Sequence, residues 1–248
     1  EENWPSVLIT GPTHVSVDNI LEKLLQENGI LSEHVVRYCN ENRIKEALKP
    51  IWVEKLIDYL RNDREELEGI GSRWNQLLNT RSGKQSVIDW TAGSKFIHAA
   101  TCVGMAKREY NLTNREFDIV IIDEAGKAFP AELLLPASVG KKVVIVGDHK
   151  QLPLTVTQED LNDEIGYRLS KDEVENILKN NFFEKLYNQL PPENKGMLNL
   201  QYRMHKDIGD VISNLFYDGS VKSNRKNGTW EYTSTRLTFV DFTKVNDY

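Results

Sequence analysis

The sequence predicts an α/β fold built around a parallel sheet, and three observations carry that expectation. The runs Phe117-Asp118-Ile119-Val120-Ile121-Ile122 and Val143-Val144-Ile145-Val146 are short and rich in β-branched residues, the pattern of strands buried on both faces. Each run stops abruptly in polar residues, Asp123-Glu124 after the first and Gly147-Asp148 after the second. Ligands of open α/β sheets gather at that carboxyl edge. Strand-like and helical patterns also alternate from Val7 to about Leu154, as parallel strands joined by right-handed crossovers require.

The elements follow in order. Ser6-Val7-Leu8-Ile9-Thr10 reads as a strand, and Gly11-Pro12-Thr13-His14 turns into a helix continuing through Leu24 and Leu25, with Thr13 or Ser16 able to cap it. From about residue 40 to 89 the pattern is helical: Ile51, Val53, Leu56, Ile57 and Leu60 keep amphipathic spacing, and Trp52, Trp74 and Trp90 supply anchoring bulk. Ser82-Gly83-Lys84-Gln85-Ser86 reads as a loop between helices. Phe96-Ile97-His98-Ala99 precedes Ala100-Thr101-Cys102-Val103-Gly104. Pro130 starts and Pro136 stops a helix after Glu124. Gly147 is expected to permit a turn that residues with a Cβ resist, and Pro153 to stiffen its exit. Residues 155–195 form a polar, helical connection with an apolar face through Ile177, Phe182, Phe183 and Leu186, ending at Pro191-Pro192. Asn199 to Gln201 is a short strand running into a helix with Ile208, Val211, Ile212, Leu215 and Phe216 at helical spacing, and Arg236 to Asp241 alternates as a strand should. The expected organisation is a first α/β lobe over 1–154 with a helical insertion at about 40–89, a helical connection over 155–195, and the start of a second lobe over 196–248.

Composition narrows the class. A chain of 248 residues with 40% hydrophobic content can bury one large core or two modest ones. No apolar run approaches a membrane span, and Cys39 and Cys102 lack metal spacing, so an intracellular setting, cytoplasmic or nuclear, is expected with no membrane partner. The net charge of −6 runs against a nucleic-acid binder, which normally carries a basic footprint. A protein that threads one strand through a groove with backbone amides and stacking weakens that objection. The acid is also local, in Asp160, Asp163, Glu164, Asp172, Glu173 and Glu175, while Lys222, Arg225 and Lys226 form a small basic group.

The candidate chemistry sits at the strand ends. Asp123 can hold a magnesium ion through its water shell, and Glu124 can orient and deprotonate an attacking water. Gln151, at the end of the neighbouring strand, can reach a terminal phosphate. An acidic pair after an apolar run fits a solvated strand end equally well, and the second strand ending in Gly-Asp-His-Lys-Gln-Leu-Pro decides against that reading. Together the two segments resemble motifs II and III of superfamily 1 helicases. Gln201-Tyr202-Arg203-Met204-His205 looks like motif IV of the Upf-like, 5′-to-3′ branch of that superfamily. The resemblance implies a finger role on the γ-phosphate for Arg203 and adenine stacking for Tyr202, with Gly147, Asp148 and Gln201 also lining the nucleotide. A planar guanidinium and a flat phenol suit those tasks. Pro12, Thr13 and His14 occupy the place of motif Ia, Pro-Ser-Asn-x-Ala-Val-Asp-Asn, with Thr13, His14 and Ser16 substituted. Ala100-Thr101-Cys102-Val103-Gly104 is similar to the strand-contacting Ala-Thr-Cys-x-Gly. Pro12, Thr13, His14 and Thr101 are therefore the candidate contacts to single-stranded DNA or RNA.

The resemblance implies two RecA-like lobes of a P-loop ATPase of the AAA kind, with ATP and Mg2+ as ligands and an ATP-dependent helicase or translocase as the activity. The phosphate-cradling Gly-x-x-x-x-Gly-Lys-Thr/Ser is absent from these residues; Ser82-Gly83-Lys84 has Leu78 at the first glycine and Gln85 at the hydroxyl. Nothing after Asp241-Phe242 resembles motifs V and VI. The expectation is a segment of a longer protein, inactive alone as an ATPase. Two departures from the pattern, Lys127 at the glutamine of Asp-Glu-Ala-x-Gln and Leu154 at a second proline, leave every catalytic group in place but permit slow hydrolysis; Lys127 could meet a phosphate, the acidic pair or solvent. Two other classes stay open: a nucleotide-gated module that binds nucleic acid or protein without unwinding, and the motor part of a larger nuclease or defence protein.

Overall fold

The computed structural model describes residues 4–27, 29–62, 76, 80–152 and 181–224. The chain divides into two compact units, Glu1–Leu186 and Tyr187–Tyr248. The acidic cluster at 160–175, Pro153, Leu154, Trp74, Arg225, Lys226 and the strand expected at 236–241 lie outside the described residues.

In the first unit, β1 (Val7–Gly11), β2 (Val35–Arg37), β3 (Ile97–Thr101), β4 (Phe117–Ile122) and β5 (Gly140–Ile145) form one sheet in the order β2-β3-β1-β4-β5. Every pairing is parallel. The first strand stands in the middle, with the next two on one side and the last two on the other, so the chain reverses its direction of growth at β1. Successive strand residues face opposite layers. Ile9, Val35 and Ala99 pack with Val17 and Leu21 of α1 (His14–Glu27) on one face. Leu8, Val36, Ala100, Val120 and Ile122 pack on the other with Trp52, with Val53 of α2 (Val53–Asn62), with Val87 and Ile88 of α3 (Arg81–Gly93), and with Leu133 of α4 (Pro130–Ala137). Val17 and Leu21 are fully buried, and each contributes about 1.5–3 kcal/mol by leaving water.

Local sequence explains the helix starts. Thr13 Oγ1 accepts the backbone N–H of Ser16 at 3.2 Å, which caps α1. Pro130 opens α4, where Glu132 Oε2 accepts the N–H of Phe129 at 2.9 Å, and Pro136 lies within the last turn. Ser82-Gly83-Lys84, expected in a loop, instead forms the first turn of α3, because Thr80 Oγ1 takes the N–H of Gly83 at 3.0 Å and starts the helix. Trp52 is an anchor, its Nε1–H donating to the Cys39 carbonyl at 2.9 Å, whereas Trp90 is 63% exposed.

The strand β5 departs from the both-faces-buried pattern. Among the described residues it ends the sheet, with Val143 and Val144, and Val146 just beyond it, exposed by 37%, 48% and 42%. Its β-branched run suits a strand, but burial depends on neighbours that only the assembled sheet can supply.

The helix α5 (Phe182–Gln189) begins in the first unit, where Phe183 joins the core, and ends in the second; in the second unit β6 (Leu200–Gln201) pairs in parallel with β7 (Lys222–Ser223), and α6 (Lys206–Phe216) connects them. His205 caps α6 by accepting the N–H of Asp207 on Nδ1 at 3.2 Å. The helix buries Gly209 and Ser213, while Val211, Leu215 and Phe216 are exposed.

Candidate functional site

The strand register brings four chain segments to one level. Gly11 pairs with Thr101, Thr10 with Ile122, and Ile122 with Ile145, so the sheet's carboxyl edge carries the residues that follow each of them. Ladder bonding continues past the strands. The Asp123 N–H donates to the Thr10 carbonyl at 2.9 Å, Val146 to Ile122 at 2.8 Å, and Ala125 to Val146 at 2.9 Å. The candidate carboxylates therefore leave a braced backbone.

Asp123 and Glu124 differ sharply in setting. Burial raises the Asp123 carboxyl above its usual range, opposed by the N–H of Glu124 and reinforced by the neighbouring charge of Glu124. Glu124 has φ 55° and ψ 34°, the left-handed region, which costs a residue with a Cβ about 1–2 kcal/mol. Backbone strain of this kind persists only where surrounding structure over-determines it. The Glu124 side chain is half-exposed and pairs with Lys127 at 3.1 Å.

The loop after β5 is held by its own aspartate. Asp148 accepts the Lys150 N–H at 3.0 Å and the Gln151 Nε2–H at 2.9 Å. Gly147 resists a Cβ as expected, but not through its own dihedral angle, since its φ is not positive. What excludes a side chain there is the backbone of Ala125 and Gly126. Asp148 is the brace seen among the described residues; Pro153 lies outside them.

At the other end of the edge, the expected strand contacts divide. Pro12 is half-buried, Thr13 is exposed but spends its hydroxyl as the α1 cap, and His14 is half-buried. Thr101 is 6% exposed, and its hydroxyl accepts the Gly104 N–H at 3.0 Å, so it braces its own turn rather than facing outward. Cys102 is buried with its thiol pushed up to about 11 by burial, and the Thr10 hydroxyl donates to its sulfur at 3.5 Å.

In the second unit, Gln201 is held by four hydrogen bonds within its own surroundings. Its Oε1 accepts the N–H groups of Arg203 and Met204 at 2.8 and 2.7 Å, while Nε2 donates to the Met204 carbonyl at 2.9 Å and to Ser223 Oγ at 2.6 Å. That amide is consumed in shaping the turn that carries Tyr202, 62% exposed, and Arg203, also exposed.

Sequence reasoning missed Arg37 and Asp18, which form a buried ion pair at 2.9 Å beside His14. A signal existed, since Arg37 follows Val35-Val36 in a run that otherwise reads as buried, and a buried guanidinium demands a partner. Asp123 and Glu124 supply hard oxygen donors suited to magnesium, which takes one or two carboxylates and completes its shell with water and phosphate. Among the described residues no three His, Cys, Asp or Glu side chains form a dedicated metal cage.

Comparison with known proteins bears on the same segments. A family described as AAA domain matches residues 63–159, and a second of that description matches residues 178–246. An uncharacterized ATP-dependent helicase of Methanocaldococcus jannaschii is 36% identical over 90% of this chain and 39% of its own length. The ATP-dependent helicase upf1 of Schizosaccharomyces pombe is 29% identical over 88% of this chain and 22% of its own. The DNA replication ATP-dependent helicase/nuclease DNA2 of Saccharomyces cerevisiae is 30% identical over 87% and 12%. The chain thus spans about two fifths or less of the length of these relatives. With the parallel sheet and the paired strand ends that carry motifs II and III, these matches show that the chain belongs to the Upf1-like branch of superfamily 1 helicases, with the RecA-like fold of a P-loop NTPase.

Proposed function

We propose that this chain is part of an ATP-driven motor that couples hydrolysis to movement along single-stranded DNA or RNA in the 5′-to-3′ direction. The observation that supports it best is the convergence of Gly11-Pro12-Thr13-His14, Asp123-Glu124 and Gly147-Asp148 on one sheet edge, next to the strand where the order reverses. One edge thus offers carboxylates for hydrolysis and hydrogen-bonding groups for a phosphodiester backbone.

In this reading Glu124 accepts a proton from the attacking water and orients it, using a half-exposed carboxylate set by a left-handed backbone. Asp123 is the residue that would hold magnesium, and the ion supplies neutralisation of charge developing on phosphate oxygens. Gln151, tethered to Asp148, orients the terminal phosphate. Tyr202 stacks on the adenine, and Arg203 stabilises charge on the equatorial oxygens, both presented by the Gln201 turn. Pro12, Thr13 and His14 hold the strand, with Thr101 bracing the neighbouring turn from inside.

The experiment is ATP hydrolysis by the full-length protein with and without a single-stranded oligonucleotide, in the native sequence and in Glu124→Gln. Turnover stimulated by the strand, and reduced about 10²-fold or more in the variant with nucleotide binding nearly intact, is the expected result. Equal losses of affinity and turnover would make Glu124 a structural carboxylate.

The Lys127 contact favours a second reading. A lysine ammonium 3.1 Å from the Glu124 carboxylate opposes its action as a base, which suits a nucleotide-gated binding module with slow hydrolysis. A strand-displacement assay separates the two, since only the motor unwinds a duplex.

A further inference from the structure

Arg37 ends β2 with no exposed side-chain surface, yet it makes contacts from three of its nitrogens. Nε donates to Asp18 Oδ1 at 2.9 Å. Nη1 donates to the carbonyls of Tyr38 at 3.0 Å and Ala99 at 3.5 Å. Nη2 stands 3.1 Å from His14 Nδ1. A guanidinium has donors only and keeps its charge at any ordinary pH. In that hydrogen bond His14 Nδ1 must therefore accept, which leaves the ring neutral with its single proton on Nε2. No hydrogen-bond partner for that Nε2 exists among the described residues, and the ring is only half-buried.

We propose that Arg37 is a positioning residue for nucleic-acid binding: it locks His14 in the Nε2–H tautomer, so the imidazole offers a fixed neutral donor to a phosphodiester oxygen of a single strand. The inference rests on the reading that this sheet edge holds the strand. Arg37 itself touches no ligand, being enclosed by β2, β3 and α1.

The charged groups around His14 fit this ligand. Arg37 on β2, Arg43 on the turn that follows it, and Lys107 beyond β3 bring positive charge to the ring, and Asp18 on α1 opposes them. Burial first, and then Arg37, hold His14 below its usual range, in the same sense as the hydrogen bond it accepts from Arg37. A phosphodiester has acceptors only. It gains the Nε2 donor and the field of Arg43 and Lys107 while the ring adds no competing acceptor outward. Protonation at Nδ1 would set N–H against N–H at Arg37 and break the lock.

Two measurements on the full-length protein test this. Nitrogen-15 spectroscopy of labelled histidine should find His14 Nδ1 unprotonated near neutral pH, and Arg37→Lys, which keeps a cation for Asp18, should mix the tautomers. Affinity for oligothymidylate should fall about fivefold in Arg37→Lys and in His14→Phe, the loss of one hydrogen bond, with little further loss in the double variant. His14→Asn, which keeps an amide donor, should recover part of the affinity and provides an independent arm if Arg37→Lys does not fold. A protonated Nδ1 in the native protein, or native binding unchanged in both Arg37→Lys and His14→Phe, overturns the inference while leaving the nucleic-acid reading standing. Failure of the native protein to bind any single strand overturns that reading, and the inference with it.

Discussion

A Cβ placed on Gly147 would stand 2.8 Å from the backbone nitrogen of Gly126, and one on Gly126 would stand 2.6 Å from the carbonyl oxygen of Asp148. The turn after β4 and the turn after β5 therefore meet backbone to backbone, without room for a methyl group. A side chain added at either glycine is therefore expected to move Glu124 relative to Gln151.

Gly147→Ala should accordingly lower stability by about 1–3 kcal/mol, the range for overpacking, and depress hydrolysis beyond what the unfolded fraction explains. Thermal denaturation and steady-state ATPase assays of the full-length protein check both. Gly93→Ala is the control, since a Cβ there meets nothing within 4 Å and should leave stability equal or slightly higher. Equal stability for Gly147→Ala would show that the two turns are independent.

Lys127→Gln removes the cation from Glu124 and restores the family's residue. Both partners are nearly half-exposed, so the ion pair contributes at most about 1 kcal/mol to folding. The expected outcome is faster hydrolysis with unchanged melting. A slower variant would mean that Lys127 assists a phosphate rather than restraining the carboxylate.

Arg203→Ala should depress hydrolysis and its stimulation by nucleic acid, by about 10³-fold if the residue is a finger, with little change in stability. Arg203→Lys should fail to rescue, because a point charge does not reproduce the planar fork. Wild-type turnover in the lysine variant would remove the finger role.

His98 makes a prediction about pH. It is 3% exposed, its Nδ1 lies 3.1 Å from the Tyr38 hydroxyl, and its Nε2 lies 3.1 Å from the Lys95 carbonyl. Burial, helped by Arg115, pushes its pKa down to about 4. The unfolded chain then binds a proton that the native chain refuses, so stability is fully present above about pH 6.5 and is lost as pH falls toward 4. The loss attributable to this residue is about 3 kcal/mol across that window. Denaturant titrations at pH 7.5 and pH 5 should show the drop, and His98→Asn should flatten it. A native protein equally stable at both values would mean that the imidazole is charged or reached by water.

Much of the fold was legible because its signals are local. Short β-branched runs and caps such as Thr13 and Pro130 depend on residues within a few positions of one another. The same holds for Asp123-Glu124 and Gly147-Asp148, whose placement at strand ends follows from where each apolar run stops.

Tertiary structure decided what each polar atom does. Gln201 and Thr101 carry the right residue types for ligand contact, but their hydrogen bonds are used inside their own turns. Gly147 has no room for a side chain because Gly126 approaches it from the turn after β4, not because of its own dihedral angle. The exposure of β5 was hidden for the same reason, since a valine's burial depends on which strand stands beside it. Arg37 reaches His14 and Asp18 only when β2 lies against α1, a meeting across 23 and 19 residues that no local pattern encodes. Sequence by itself determined which groups could do chemistry and which elements carry them; only the assembled sheet decided which donors and acceptors remain unspent at its edge.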